Sequence, residues 1–163
     1  METMIAVAQT FLTAYLGAWL LLGVRDNIVH PSMNGMFTAE VLELERLKAA
    51  YPEAYALIEG RRVISPALQR AAFLFIVGCE VLVCLLLWAA TAWMLLALFG
   101  LADLEQARIA ALAGALGFTS IWSGFLIVGN HFAYWYCHEW AQNTHFQMVL
   151  WGIGTMLILA VPQ

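Results

Sequence analysis

Charged residues are scarce in this chain, since Lys, Arg, Asp and Glu make up 11% of its 163 residues and apolar residues make up 63%. A soluble domain carries about 25% charged residues and about 45–50% apolar residues. A larger hydrophobic core cannot account for that difference. The seven basic residues and the net charge of −4 offer no phosphate-binding surface, which excludes a nucleic-acid-binding protein. The composition indicates a small polytopic membrane protein whose main partner is the lipid bilayer.

Cysteine is also scarce, with three residues in the chain. Cys79 and Cys84 fall in one apolar stretch and Cys137 lies far from both. Neither a Cys-x-x-Cys pair nor a Cys/His spacing typical of zinc occurs, so neither a zinc site nor a disulfide framework is indicated. We interpret Cys79 and Cys84 as small buried apolar residues.

Four apolar stretches predict four membrane spans. A helix needs roughly 20 apolar residues to cross a hydrocarbon core about 30 Å thick. Residues 4–24 carry no charge, follow no basic region and precede no convincing cleavage site, which predicts a retained first span and not a signal peptide. Residues 71–98 contain one charge and residues 109–129 none, and the shorter stretch 146–161 predicts a fourth span. We expect one all-α membrane domain, residues 1–163, built as a four-helix bundle.

The connection between the first two spans, residues 25–70, is long and carries six of the seven basic residues. Within it, residues 38–59 predict an amphipathic helix, because apolar side chains recur every three or four positions between charged ones. Thr38 suits the N-cap of this helix, and Pro52 divides it into two short pieces. We favour a cap that packs on its own bundle over an interfacial or partner-binding helix.

Glu80 is the one charged residue deep within a predicted span. A carboxylate there costs roughly 2.5–3.5 kcal/mol on insertion scales, so it must be protonated, paired or turned into the bundle. A proton or ion relay would need a second charge in the membrane, which the sequence lacks. We therefore favour a structural hydrogen bond over a relay or a polar contact to a cofactor. Four hydroxyl residues are the predicted partners: Thr13, Thr119, Ser120 and Ser123.

Histidines are concentrated in the third connection, residues 130–145. On one straight helix His131, His138 and His145 would share a face, about 10 Å apart from one to the next. A metal with bonds of about 2 Å cannot be shared over that distance, so no metal site is expected. Haem, copper or a quinone would need a break in the helix or a partner histidine. The candidate cofactor-binding residues are His131, His138 and His30.

The third connection also carries five aromatic side chains. Such rings are typical of the place where a helix bundle meets the membrane–water interface. Because Trp and Tyr are enriched at interaction hot spots, these rings are also candidates for a docking face. They are Phe132, Tyr134, Trp135, Tyr136 and Trp140.

Polar residues after the first span offer a possible counterpart to this connection. Asp26, Asn27 and His30 are expected on the same side of the membrane as His131. They could close a polar pocket with Asn130 and His131.

Small residues mark predicted contacts between the spans. In lipid, helix backbones approach closely where Gly or Ala lies on the contacting face. Such positions predict a tight bundle or a homo-oligomer, and they are Ala110, Gly114, Gly117, Gly124, Gly152 and Gly154.

Several of these motifs together resemble a known family. Residues 65–67, Ser-Pro-Ala, lead into a span with a central Glu80, and the later matching residues are Trp122, Gly124, Phe125, Gly129, Phe132, Trp135 and residues 140–143. In these features, over nearly its whole length, the chain resembles the bacterial predicted small integral membrane proteins, a four-span family of unknown function. The resemblance implies a multi-pass protein of the bacterial inner membrane and assigns no catalytic residue. The chain departs from the family pattern at His131 and Cys137.

Two patterns predict opposite orientations in the membrane. Basic residues flanking residues 25–70 favour a cytoplasmic first connection, with both termini outside. That connection also holds six acidic residues and is long, which weakens the rule. Family members tend to have a basic second connection, which places both termini inside, although here residues 100–108 contain one basic residue, Arg108. We favour termini inside.

Three functions remain open from the sequence. The leading interpretation is a non-catalytic accessory subunit of a larger inner-membrane complex of respiratory, photosynthetic or monooxygenase type, because no complete catalytic or redox constellation is present. The alternatives are a redox protein that holds haem, copper or a quinone, and a small oligomeric transporter that uses Glu80. We expect no enzyme activity and no resident cofactor, although a bound lipid or quinone would leave little trace in the sequence.

Overall fold

The computed structural model describes residues 1–161, and the regular structure of that range is entirely helical. Two short 3₁₀ turns, Glu59–Arg61 and Tyr134–Tyr136, interrupt the connections. The α-helices are α1 (Glu2–Val29), α2 (Pro31–Glu43), α3 (Glu45–Ala50), α4 (Pro52–Ile58), α5 (Pro66–Leu98), α6 (Leu104–His131) and α7 (Glu139–Leu159).

The four long helices form the body of the protein. Helix α5 packs between α1 and α6, and α6 also packs against α7. The core between them is mainly apolar. Its largest fully buried side chains include Leu16, Leu87, Met94 and Phe118, together with the polar Gln9, Thr13 and Thr155. This burial follows from the sequence, because each helix carries apolar residues on its inner face as well as on the face that meets lipid.

Among residues 1–161, three helices are long and apolar enough to cross a membrane, namely α1, α5 and α6. They contain the predicted spans 4–24, 71–98 and 109–129. The 33 residues of α5 rise by about 50 Å at 1.5 Å per residue, so this helix tilts or extends beyond the hydrocarbon core. The fourth predicted span, residues 146–161, falls largely on the second half of α7, which is not among the three.

Local sequence signals set the limits of the spanning helices. Ser65 caps α5 by accepting a hydrogen bond from the Leu68 amide, with Pro66 as the first helical residue. Gly100, at φ +72°, follows the end of α5 in the left-handed region that favours glycine. The Asp103 carboxylate then caps α6 by accepting from the Gln106 amide at 2.8 Å.

Glycines allow α6 to approach its neighbours closely at three of the predicted positions. A Cβ at Gly114 would lie 2.8 Å from Leu87 Cδ2, and one at Gly117 would lie 2.9 Å from Val83 Cγ2. A Cβ at Gly152 on α7 would overlap the Thr119 hydroxyl. At Gly124 and Gly154 a Cβ would meet nothing within 4 Å among the described residues. These two glycines therefore lie off the contacting faces of the bundle, and the alternative of a homo-oligomer stays a prediction for them.

The long first connection folds back onto one end of the bundle. Helix α2 packs against α1 and α5, and Leu44, Leu47 and Tyr55 form a second buried cluster with Phe132 of the third connection. The connection therefore covers the bundle, as the cap interpretation expects.

The predicted limits of the connection's helices were partly wrong. Helix α2 begins at Pro31, so Thr38 lies inside it and donates to the Asn34 carbonyl at 3.0 Å instead of capping a helix. Because proline is favoured at the first helical position, the helix begins at Pro31, before the start at Thr38 that the hydrophobic pattern predicted. The break at Pro52 is confirmed, because α4 begins there. A further break at Leu44, at φ +58°, divides the segment into three helices instead of two.

Candidate functional site

A cavity of about 320 Å³ lies at the end of the bundle where the first and third connections meet. We call it the Glu80 cavity. Its volume is at the lower end of the roughly 300–1,000 Å³ that small-molecule sites occupy. Its polar lining residues are Asn27, Asn34, Thr38, Glu80, His138 and His145, and its aromatic ones are Phe37, Phe73, Trp122, Phe125, Phe132, Tyr134 and Trp140.

Glu80 is turned into the bundle and is 5% exposed. Its Oε2 atom accepts a hydrogen bond from Asn27 Nδ2 at 2.7 Å, and Asn27 Oδ1 accepts one from Asn34 Nδ2 at 2.6 Å. This chain of three polar side chains joins α5, α1 and α2. It holds the carboxylate in place and attaches α2 to the spanning helices.

The predicted hydrogen bond to Glu80 exists, but the predicted partners are wrong. The hydroxyls of Thr13, Thr119 and Ser120 donate to backbone carbonyls four residues earlier in their own helices. Ser123 makes no hydrogen bond to Glu80 either. A helical Ser or Thr satisfies its hydroxyl locally in this way, which leaves the carboxylate to an amide from another helix.

No cation balances the charge of Glu80 in the part of the chain that the structure describes. The cavity wall contains neither Lys nor Arg, and none of the ion pairs among residues 1–161 involves Glu80. The second carboxylate oxygen, Oε1, makes no hydrogen bond within the same range. The cavity therefore presents one acidic residue, and no Lys or Arg, in a wall of aromatic, apolar and other polar side chains.

His138 closes the wall between α7 and α2. It is 4% exposed, and its Nε2 lies 2.7 Å from Glu40 Oε1. The same glutamate oxygen pairs with Arg46. These contacts fix the start of α7 against the first connection, and they leave Nδ1 of His138 buried without a partner in residues 1–161.

His145 lies within a stack of aromatic rings. Its imidazole stacks on Phe125, with ring centroids 4.8 Å apart and planes at 22°, and faces Tyr134 at 6.0 Å and 18°. Trp122 is the third neighbouring ring, at 5.5 Å. Gly129 permits the turn to fold back here, because a Cβ at that position would lie 2.7 Å from the Tyr134 ring.

Polar atoms without partners are concentrated in this wall. Six buried side-chain nitrogen or oxygen atoms among residues 1–161 have no hydrogen-bond partner, and four of them belong to residues that line the cavity. Burial raises the pKa of Tyr134 to about 12, so its phenol is a neutral hydrogen-bond donor at physiological pH. Buried polar groups in proteins are nearly always hydrogen-bonded, so this cluster marks the wall as a candidate binding site. The four atoms are Trp122 Nε1, the Tyr134 hydroxyl, His138 Nδ1 and His145 Nδ1.

The structure separates the three candidate cofactor-binding histidines. His138 lines the cavity, whereas His30 and His131 are exposed. Helix α6 ends at His131 and α7 begins at Glu139, so the straight helix that would align three histidines does not form. Within residues 1–161 no group of three His, Cys, Asp or Glu side chains could hold a metal ion.

The predicted polar pocket is only partly formed. Asn27 reaches the cavity, but Asn130 and His131 are exposed on the other side of the turn. The backbone carbonyl of His131 instead accepts a hydrogen bond from Arg61 Nη1 of the first connection at 2.8 Å. The partner of Asn27 is therefore Glu80 of α5 and not the third connection.

The five rings proposed as a docking face divide between interior and surface. Phe132 and Tyr134 are 8% and 5% exposed, so they belong to the interior. Tyr136 is half-buried against Tyr51. Trp135 and Trp140 are 41% and 57% exposed, although Trp140 also lines the cavity.

Asn34, Trp122 and His145 line the wall but are not among the site residues predicted from the sequence, although His145 belongs to the histidine-rich third connection. The positions of Trp122, Phe125 and Gly129 follow a spacing of three and four residues, which places them on one face of α6. That spacing was a usable signal for a wall at this end of the helix. Nothing in the sequence pairs Asn34 with Asn27, because a break at His30 separates their helices.

Three helices of spanning length and composition, with a polar cavity closed over one end, define an all-helical integral membrane protein. The chain belongs to the family described as Predicted small integral membrane protein (DUF2165), whose model matches residues 5–162. No curated protein and no solved structure matches the chain.

Proposed function

We propose that this membrane protein binds a small amphipathic molecule, taken up from the bilayer, in the Glu80 cavity. The observation that carries the proposal is the group of four unpartnered polar atoms in one wall. Each such group costs about 1–3 kcal/mol when it stays unpaired. An occupant with its own donors and acceptors would recover that free energy once side chains of the wall shift to bring these atoms to the cavity surface, and its apolar body would contact the surrounding rings.

The proposal includes a bundle of four spans in a bacterial inner membrane, with α7 as the fourth. The 21 residues of α7 rise by about 31 Å, which matches a hydrocarbon core of about 30 Å. Close packing at Gly152 supports this assignment. At its far end, Arg108 Nη2 donates to the Leu159 carbonyl at 2.9 Å, which satisfies a terminal carbonyl of the helix. The first turns of α7 carry His138, Ala141 and His145 to the cavity.

A quinone or a lipid fits this wall better than copper. The indole N–H of Trp122 and the phenol of Tyr134 are donors that a carbonyl oxygen would accept. Copper needs several nitrogen or sulfur ligands at one point, and the described residues offer no such cluster.

A thermal-unfolding screen with matched cavity variants tests the proposal. Ala141→Trp places a ring in the cavity, whereas Ala113→Trp places the same ring on the exposed face of α6. A ligand at 100 times its Kd adds about 2.7 kcal/mol of stability. We expect at least one of menadione, monoolein and benzyltrimethylammonium to raise the Tm of the wild type and of Ala113→Trp, and not that of Ala141→Trp. No shift with any probe, or equal shifts in all three proteins, would contradict the proposal.

An accessory role in a larger complex is a second proposal, supported by the exposure of Trp135 and Trp140. Indole rings on a surface are frequent anchors in protein interfaces. Native gels of membranes solubilised in mild detergent test this role. A discrete larger complex that is lost in Trp135→Ala supports it, and a chain that migrates alone speaks against it.

A further inference from the structure

We propose that the ligand of the Glu80 cavity is a small organic cation, an ammonium group attached to an apolar body, with the Glu80 carboxylate as its counter-charge. This proposal rests on the proposed function, because it names the class of molecule that the same cavity takes.

The first argument is the charge of the wall. Glu80 is 5% exposed and has a single hydrogen bond, from a neutral amide of Asn27, within residues 1–161. No Lys or Arg of residues 1–161 lines the cavity. A buried carboxyl group stays ionised only where an opposite charge or several strong hydrogen bonds stabilise it, and it is otherwise protonated. A cation that enters the cavity supplies what the wall lacks.

The second argument is the ring content of the wall. Seven aromatic side chains line the cavity, and two of them are tryptophans, Trp122 and Trp140. Faces of aromatic rings attract cations, Trp most strongly, and cages of such rings recognise quaternary ammonium groups. Phe125 of α6 and Tyr134 of the following 3₁₀ turn both stack on His145, and these rings line the same cavity as the carboxylate.

The third argument is the contrast with a neutral ligand. A quinone would use the donors of Trp122 and Tyr134, but it would leave Glu80 without an opposite charge, either protonated or ionised at a cost. A cation forms an ion pair with the ionised carboxylate and so uses the one acidic side chain of the wall. The acidic side chain therefore favours a cation over a quinone.

A pair of probes that differ only in charge tests this inference. Benzyltrimethylammonium has a phenyl ring and a quaternary nitrogen, and 2,2-dimethylpropylbenzene has the same shape with carbon in place of the nitrogen. Binding to the full chain in phosphatidylcholine nanodiscs is followed by quenching of tryptophan fluorescence, with empty nanodiscs as the control for partitioning. We expect saturable one-to-one binding of the cation, at least about tenfold tighter than that of the neutral probe.

Two variants locate the site. Glu80→Gln keeps an oxygen that can accept from Asn27 but removes the charge, and it should weaken binding of the cation by about tenfold or more. Glu139→Gln removes an exposed carboxylate at the start of α7, outside the cavity wall, and should change binding less than about twofold.

The outcomes separate this inference from the function on which it rests. Equal affinities for the charged and neutral probes, or unchanged binding in Glu80→Gln, would overturn the inference. Binding of menadione without binding of the cation would overturn it as well and leave the proposed function standing. Failure of menadione, monoolein and benzyltrimethylammonium alike to bind would remove both the inference and the proposed function. If Glu80→Gln does not fold, the comparison of the two probes on the wild type still decides.

Discussion

Removing the amide of Asn27 is the sharpest perturbation of the hydrogen-bond chain at Glu80. In Asn27→Ala the carboxylate loses its one hydrogen bond, a contact of 2.7 Å between two buried side chains. Asn34 also loses its partner, since its Nδ2 donates to Asn27 Oδ1 at 2.6 Å. The variant should therefore loosen both the attachment of α2 and the position of Glu80.

Two general magnitudes bracket the expected effect. Hydrogen bonds to charged groups contribute about 1.5–3 kcal/mol in soluble proteins. Side-chain hydrogen bonds between membrane helices average about 0.6 kcal/mol, with a maximum of about 1.7. Because the Asn27–Glu80 contact is short, buried and involves a carboxylate, we expect a coupling free energy of about 1–2 kcal/mol, above the membrane average.

A double-mutant cycle in detergent-unfolding titrations measures this coupling. The free energy of unfolding is compared for the wild type, Asn27→Ala, Glu80→Ala and the double variant, which isolates the pairwise contribution. Asn130→Ala is the control, because it removes an amide of the same kind from an exposed position and should shift stability by less than about 0.5 kcal/mol. A coupling free energy below about 0.3 kcal/mol, within the additivity expected of independent sites, would refute the inference that this contact holds the carboxylate.

Two further predictions concern the attachment of α7. Gly152→Ala would force a Cβ into the Thr119 hydroxyl and should destabilise the fold by about 1–3 kcal/mol. Gly154→Ala is the control, because its Cβ would meet nothing within 4 Å among the described residues and should leave stability unchanged. Equal unfolding free energies for the two variants would contradict this prediction. Arg108→Met removes the donor to the Leu159 carbonyl and should lower the stability of the protein by about 1.5–3 kcal/mol. The looser attachment should appear as faster proteolysis of α7 in detergent. Unchanged proteolysis would show that α7 is held by its side-chain packing alone.

The spanning helices could be predicted because their signal is local. Residues 4–24, 71–98 and 109–129 are apolar over more than the length that a bilayer requires, and α1, α5 and α6 contain them. The same physics predicts that Glu80 turns inward, since a carboxylate facing lipid is costly. The family resemblance is confirmed by a model that matches residues 5–162.

The site could not be predicted because it depends on how distant segments meet. Asn27 and Glu80 are 53 residues apart and come together only when α1 and α5 pack in register. The break that keeps His131, His138 and His145 off one helix face depends on Ala133, a non-glycine residue at φ +50°. An alanine at that position does not indicate such a backbone conformation in the sequence. His145 enters the cavity because that break redirects the chain into α7.

Native mass spectrometry tests most directly whether the Glu80 cavity binds a small molecule. Protein released from mild detergent is compared with Ala141→Trp, which fills the cavity, and with Ala113→Trp, which carries the same ring on an exposed face. We predict one adduct of constant mass, bound one to one, on the wild type and on Ala113→Trp, and its loss in Ala141→Trp. A bare chain in every sample, or the same adduct on Ala141→Trp, would contradict binding in this cavity.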